Sequence, residues 1–161
     1  MEVYYNNKLL NNNEILKPSE TQVKPQIKFS FENNKLYTLL MYDPDAIHGN
    51  RFHWIVVNIL HDITNGKDLL SYSGPAPPPK TGEHHYIFEL YVQDGSIDLN
   101  LEERNIPIDV IKKKLNIGKP ISVVQFMSKN QTGGKKKKRT KRKRTKRKRT
   151  KRKKTKRQMR Y

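Results

Sequence analysis

The 161-residue chain contains no cysteine. That absence excludes a disulfide framework, a cysteine nucleophile and any thiolate-bound zinc, and it permits a reducing compartment without requiring one. The chain also lacks any apolar run approaching the roughly 18 residues of a membrane-crossing helix, so membrane contact is expected to be peripheral. Its N-terminal stretch, Met1-Glu2-Val3-Tyr4-Tyr5-Asn6-Asn7-Lys8, has an acid at position 2 and no apolar core of the kind a secretory signal needs, so secretion by that route is not expected. Acid is missing altogether from Lys135 to Tyr161, where 20 of the 34 Lys and Arg residues are concentrated. The formal charge of +19 therefore comes from this segment, and the body before it, with 14 basic against 15 acidic residues, is close to neutral. We expect one domain over residues 1–130 and a disordered Lys/Arg-rich tail over residues 131–161.

What the tail does contain is a near-regular pentapeptide, with Thr140, Thr145, Thr150 and Thr155 separated by Lys-Arg-Lys-Arg or close variants. Five residues advance a helix by about 500°, so successive repeats drift around the axis and build no apolar seam. Like charges at i and i+4 add repulsion of roughly 0.2–0.5 kcal/mol per pair. Such a segment attracts polyanions without reading sequence. Its one aromatic residue is Tyr161, so it offers phosphate contacts and no base stacking. Nucleic acid or an anionic membrane is the expected partner, and the four threonines are candidate sites for basophilic kinases. The expected location is intracellular, cytoplasmic or nuclear.

The body reads as mainly β. Residues 1–26, rich in Asn and broken by Pro18 and Pro25, suggest an extended arm with turns and one edge strand. Strand-like runs follow at Gln26–Phe31, Lys35–Tyr42 and His53–Leu60, the last apolar on both faces as a doubly buried strand should be. From Ser71 to Gly82 four prolines and two glycines allow neither a helix nor a central strand, and imply a stiff loop. Next comes His84-His85-Tyr86-Ile87-Phe88-Glu89-Leu90-Tyr91-Val92-Gln93, whose alternation puts His84, Tyr86 and Phe88 on one face and His85 on the other. One helix is predicted, with Asn105 as N-cap, Pro107 in its first turn and Gly118 as its stop, followed by a strand over Ile121–Met127.

Polar residues in apolar surroundings gather at three strand-loop junctions: Asp43-Pro44-Asp45, His53, and Glu83-His84-His85-Tyr86. Junctions of this kind can converge at one rim of a sheet. Two imidazoles with carboxylates admit three chemistries. One is an anion pocket, in which a carboxylate fixes one ring nitrogen and the other donates to the ligand. The second is a two-histidine, one-carboxylate metal site, although the spacing is not diagnostic. The third is hydrolysis, weakened by the absence of a Gly-x-Ser-x-Gly elbow. Taken singly, Asp-Pro-Asp is also good turn chemistry, and His53 can be satisfied by backbone alone.

The segments Asp43-Pro44-Asp45-Ala46, His53-Trp54-Ile55-Val56-Val57-Asn58-Ile59, Gly74-Pro75-Ala76-Pro77-Pro78 and Thr81-Gly82-Glu83-His84-His85-Tyr86-Ile87-Phe88 resemble, in order and spacing, the two signature blocks of the phosphatidylethanolamine-binding protein family. The resemblance covers about residues 15–129 and implies a central antiparallel sheet packed with a smaller sheet and one or two short helices. It implies a small pocket for phosphate-like anions or phospholipid head groups, lined by Asp43, His53, His84 and Tyr86, with Asp45 in support and Pro75 and Gly82 where the loop wall meets the ligand. The chain departs from the family pattern at Ile47, where a proline is usual, and at His85, where arginine is usual. The resemblance further implies a monomeric regulatory module without catalytic residues, metal or cofactor, whose partner is a kinase or phosphoprotein. The alternatives are a lipid head-group carrier docked by its tail and a hydrolase-like or metal-dependent enzyme using the same histidines.

Overall fold

The computed structural model describes residues 1–130; the expected domain boundary and every expectation about the tail lie outside the described residues. Nine strands and one helix form in the order β1 (Glu2–Tyr5), β2 (Lys8–Leu9), β3 (Glu14–Leu16), β4 (Gln26–Lys28), β5 (Leu36–Asp43), β6 (Arg51–Ile59), β7 (Lys67–Leu70), β8 (Glu83–Gln93), α1 (Ile108–Lys114) and β9 (Ser122–Lys129). A six-stranded sheet runs β3-β9-β8-β5-β6-β7 and a three-stranded sheet runs β2-β1-β4. All pairs are antiparallel except β3 with β9. This is the mainly β, two-sheet architecture that the sequence predicts.

The large sheet is covered on both faces. One core joins Val3, Leu10 and Ile27 of the small-sheet layer to Leu39, Met41, Trp54, Tyr86, Phe88 and Phe126. The other joins Leu40, Phe52, Ile55, Val57 and Tyr91 to Ile111, Leu115 and Ile117 of the helical segment. A strand with a layer on each side has no solvent face, which is why β6 is buried from Phe52 to Val57 and reads as a continuous apolar run. On that second face Glu89 is buried and accepts from the Tyr42 hydroxyl at 3.2 Å, the Tyr91 hydroxyl and Lys112 Nζ at 3.3 Å.

The N-terminal segment is more structured than an arm. Three strands form there, because the asparagines are turn formers rather than signs of looseness. Asn6 and Asn7 have φ of 51° and 65° and close the β1–β2 hairpin, with Tyr5 opposite Lys8. A two-residue loop with both φ positive matches the strand twist, and Asn tolerates that region. The helix is also shorter than predicted. Pro107, not Asn105, occupies the N-cap position, and Asn116 at φ 50°, not Gly118, turns the chain out of it.

Candidate functional site

The pocket lies at one end of the large sheet, where β5 ends, β6 begins and β8 begins. Asp43 is the last residue of β5 and pairs across the ladder with Arg51, the first of β6. His53 follows two residues on, and the loop after β7 folds back onto it, since Ser73 N donates to His53 O at 2.8 Å. His84 and Tyr86 share one face of β8 by simple alternation and are both buried. The resulting cavity holds about 310 Å³ and has Asp43, Arg51, His53, His84 and Tyr86 in its walls. Its rim is Ala46, Ile47 and His48 on one side and Ala76, Pro77 and Pro78 on the other.

Hydrogen bonding fixes both rings. His84 Nδ1 donates to Asp43 Oδ2 at 2.8 Å, between two groups almost without solvent contact. Its Nε2 lies 2.8 Å from Thr81 Oγ1, and that hydroxyl also reaches Pro78 O at 2.8 Å. A hydroxyl has one hydrogen, so the two Thr81 bonds coexist only when His84 Nε2–H is the donor. Both ring nitrogens of His84 are thus committed to partners within the fold, Asp43 and Thr81.

His53 is held differently. Its Nδ1–H donates to Ser73 O at 2.7 Å, which leaves Nε2 with a lone pair, buried and without a partner. Burial pushes the His53 pKa below its ordinary 6.5; the Ser73 carbonyl and Asp43 oppose the shift, and the charges of Arg51 and Arg104 add to it. The ring meets Tyr86 edge to face, with centroids 5.1 Å apart. Burial, with the Asp43 carboxylate nearby, raises the Tyr86 hydroxyl well above its ordinary value and keeps it a neutral donor.

The sequence-based assignment divides here. Asp43, His53, His84 and Tyr86 converge on the cavity. Asp45, Pro75 and Gly82 do not line it. Asp45 Oδ2 accepts from His85 N at 2.8 Å and His85 Nδ1 at 2.7 Å, on the outward face that strand alternation assigns to His85. Burial raises the Asp45 pKa, but these His85 bonds outweigh it and leave it lowered. Asp45 still supports the site through its backbone, which donates to Asp43 Oδ1 at 2.8 Å across Pro44. Pro75 is buried behind the wall, with its carbonyl held at 2.9 Å by Gln22 Nε2. Gly82 is exposed at φ +94°, where a left-handed turn brings the chain into β8.

Sequence reasoning missed Arg51, Asn105, Gly74 and Thr81. Arg51 was detectable, because a residue two before His53 on a strand shares its face. Asn105 was not, since an isolated bridge to Arg51 brings it in from a distant segment. Gly74 is where the loop wall touches the N-terminal segment: a Cβ there would lie 2.9 Å from Gln22 Cα. Arg104 braces the same wall, donating to Phe52 O, His53 O and Ser71 O. Among the described residues no three His, Cys, Asp or Glu side chains are grouped as metal ligands, and no helix is long and apolar enough to cross a membrane.

Comparison with known proteins agrees with this architecture. The chain is 30% identical over 150 residues to protein MOTHER of FT and TFL1 homolog 2 of Oryza sativa subsp. japonica, covering 85% of each. It is likewise 30% identical to protein TERMINAL FLOWER 1 of Arabidopsis thaliana, covering 85% of this chain and 83% of that one. Among solved structures, a carboxypeptidase Y inhibitor complexed with its cognate proteinase shares the fold at a TM-score of 0.69 and 20% identity, over 80% of this chain and 81% of its own. The phosphatidylethanolamine-binding protein of Plasmodium vivax does so at 0.65 and 22%, over 79% and 84%. With the phosphatidylethanolamine-binding protein family model matching residues 5–139, and with the family's two signature blocks meeting at one cavity, the chain belongs to the phosphatidylethanolamine-binding protein family.

Proposed function

We propose that the cavity binds a phosphate-like anion, free or as a phospholipid head group, and that the protein is a non-catalytic regulatory module whose partner is a kinase or phosphoprotein. The observation that carries the reading is His53 Nε2, a buried ring nitrogen without a partner, on a residue of the cavity wall that also holds Asp43, Arg51 and His84. A buried polar atom left unpaired costs on the order of 1–3 kcal/mol, a cost that a hydrogen-bonding guest removes. Asp43 orients His84, and Tyr86 adds a hydroxyl donor. An inhibitor of the same fold is known in complex with its cognate proteinase, which fits action by occupying another protein.

The Lys/Arg-rich segment after Gly134 supplies a tether to nucleic acid, consistent with a nuclear site of action. Titration with inorganic phosphate and phosphorylethanolamine, followed by the ring resonances of His53 and His84, tests the pocket. Both ligands should shift those resonances, and His53→Ala should abolish binding; undiminished binding in that variant refutes the pocket. For the tether, nucleic-acid affinity should fall steeply with salt and disappear when the chain ends at Gly134. A salt-insensitive complex that survives the truncation counts against it.

One observation favours a second reading, head-group carriage at an anionic membrane: Ile47, 68% exposed, stands on the cavity rim. Co-sedimentation of the full chain with anionic vesicles that is lost on truncation at Gly134 and weakened in Ile47→Asp would select this reading, in which the tail docks the carrier.

A further inference from the structure

Arg51 is the part of the cavity wall whose charge nothing in the fold uses. Among the described residues no carboxylate pairs with it, and its one side-chain partner is Asn105 Oδ1, 3.3 Å from Nη1. A guanidinium carries five N–H donors in a rigid fork, so most of its hydrogen-bonding capacity is unspent. The other arginine of the body, Arg104, is occupied by contrast, because it donates to Phe52 O, His53 O, Ser71 O and Ser71 Oγ. Arg51 is also placed for use. It begins β6 opposite Asp43, shares a strand face with His53, and lines the cavity with Asn105 beside it. Its charge is felt inside, where it adds to the lowering of the His53 pKa by burial and opposes the raising of the Tyr86 pKa.

We propose that Arg51 makes the cavity selective for phosphomonoesters, as dianions, over phosphodiesters. This rests on the anion-pocket reading above and adds the charge state of the guest. A monoester carries about −1.5 to −2 charges near neutral pH and offers three terminal oxygens, whereas a diester carries one charge and two. Asp43 is already engaged by His84, so the wall presents one uncommitted cation, Arg51, in the same lining as His53 with its unpartnered Nε2. The second negative charge of a monoester gains a forked, charge-assisted contact there. A diester has an ester oxygen in its place, and in a zwitterionic lipid an ammonium group follows that Arg51 repels. The chemistry is shared by soluble phosphomonoesters and by a lipid whose head group is a bare phosphate.

The test uses the full chain at fixed ionic strength, with the His53 and His84 ring resonances as the readout so that binding to the tail does not count. The probes are methyl phosphate, dimethyl phosphate and micelle-free dihexanoyl phosphatidic acid. Methyl phosphate should bind about tenfold or more tighter than dimethyl phosphate, the order of one charge-assisted hydrogen bond. Arg51→Gln should bring that ratio close to one by weakening methyl phosphate alone. Arg51→Lys, which keeps the charge, should retain part of the preference. Phosphatidic acid that matches methyl phosphate and depends equally on Arg51 assigns the guest to a lipid; phosphatidic acid that fails to bind while methyl phosphate does assigns it to a soluble ester. Both results support the selectivity. Equal binding of the two esters, or a ratio unchanged by Arg51→Gln, overturns the proposal while leaving the pocket intact. Histidine resonances that respond to none of the probes overturn the pocket and the proposal together.

Discussion

Anion binding should draw about one proton into the protein, and His53 should be where it goes. In the free protein Nδ1–H is committed to Ser73 O, so the unpartnered ring nitrogen, Nε2, carries a lone pair. An anionic oxygen cannot approach it favourably until a proton lies between them. Burial has already lowered the His53 pKa below 6.5, with Arg51 and Arg104 adding to that and Ser73 and Asp43 opposing it, so the bare ring is neutral near pH 7. A bound anion reverses the balance and raises the pKa in the complex. Above about pH 6.5, then, each unit of pH adds roughly 1.4 kcal/mol to the cost of protonation, and the affinity for dimethyl phosphate should weaken about tenfold per unit. It should level off below the depressed pKa of the free ring. Dimethyl phosphate is the probe of choice because it has no proton of its own to titrate in this range. Isothermal calorimetry in two buffers of different ionisation enthalpy counts the protons directly. His53→Gln, which presents an amide instead of a ring, should remove the slope. A flat affinity between about pH 5 and pH 8, with His53 resonances still responding to ligand, would refute this account of the ring.

Other perturbations read separate parts of the structure. Because the folded-state pKa of His53 lies below its unfolded value, the stability it supports is complete above pH 6.5 and is lost as pH falls through the folded pKa; denaturant midpoints should therefore drop less steeply with acid in His53→Gln than in the parent. Asp43→Ala leaves the buried Nδ1 of His84 without its partner and should cost roughly 1–3 kcal/mol in urea denaturation, whereas unchanged stability would mean that the His84–Asp43 bond does not hold the fold. Gly74→Ala drives a methyl group into Gln22, whose Nε2 holds Pro75 O, and should cost roughly 1–3 kcal/mol and weaken phosphate binding; unchanged stability would show that the loop and the N-terminal segment are not in contact. Glu89→Ala strands two buried hydroxyls and Lys112 on the far face of the sheet, and should lower stability by about 2 kcal/mol without affecting phosphate affinity.

Much of this protein follows from local sequence, since the relevant physics is short-range. The double-sided burial of β6 is visible in its unbroken apolar run, because a strand with solvent on one face would alternate. The proline loop declares itself through backbone geometry, and the partition of His84 from His85 needs only the period of a strand. The N-terminal hairpin was legible too, had Asn6-Asn7 been read as a left-handed turn pair instead of as polar filler. The short β7, Lys67–Leu70, and the true ends of the helix were not, because four or five residues of weak pattern take their conformation from neighbours.

The site divides along the same line. The amino-acid sequence alone nominated Asp43, Asp45, His53, His84 and Tyr86 at strand-loop junctions, with Pro75 and Gly82 in the loop, and of these Asp43, His53, His84 and Tyr86 line the cavity. Tertiary structure alone decided what each of them does. Asp43 rather than Asp45 became the carboxylate of the pocket because the β5–β8 register places it against His84, while Asp45 turns outward to His85. His53 became the ring with the open nitrogen, and His84 the ring with none, because their partners Ser73 and Asp43 arrive from 20 and 41 residues away in sequence, and only Thr81 on His84 is a local neighbour. Arg51 gained its place on the wall in the same way, through a ladder partner and an asparagine far along the chain. Hydrogen-bond assignment is a matter of ångströms between distant segments, and only the packed sheet sets those distances.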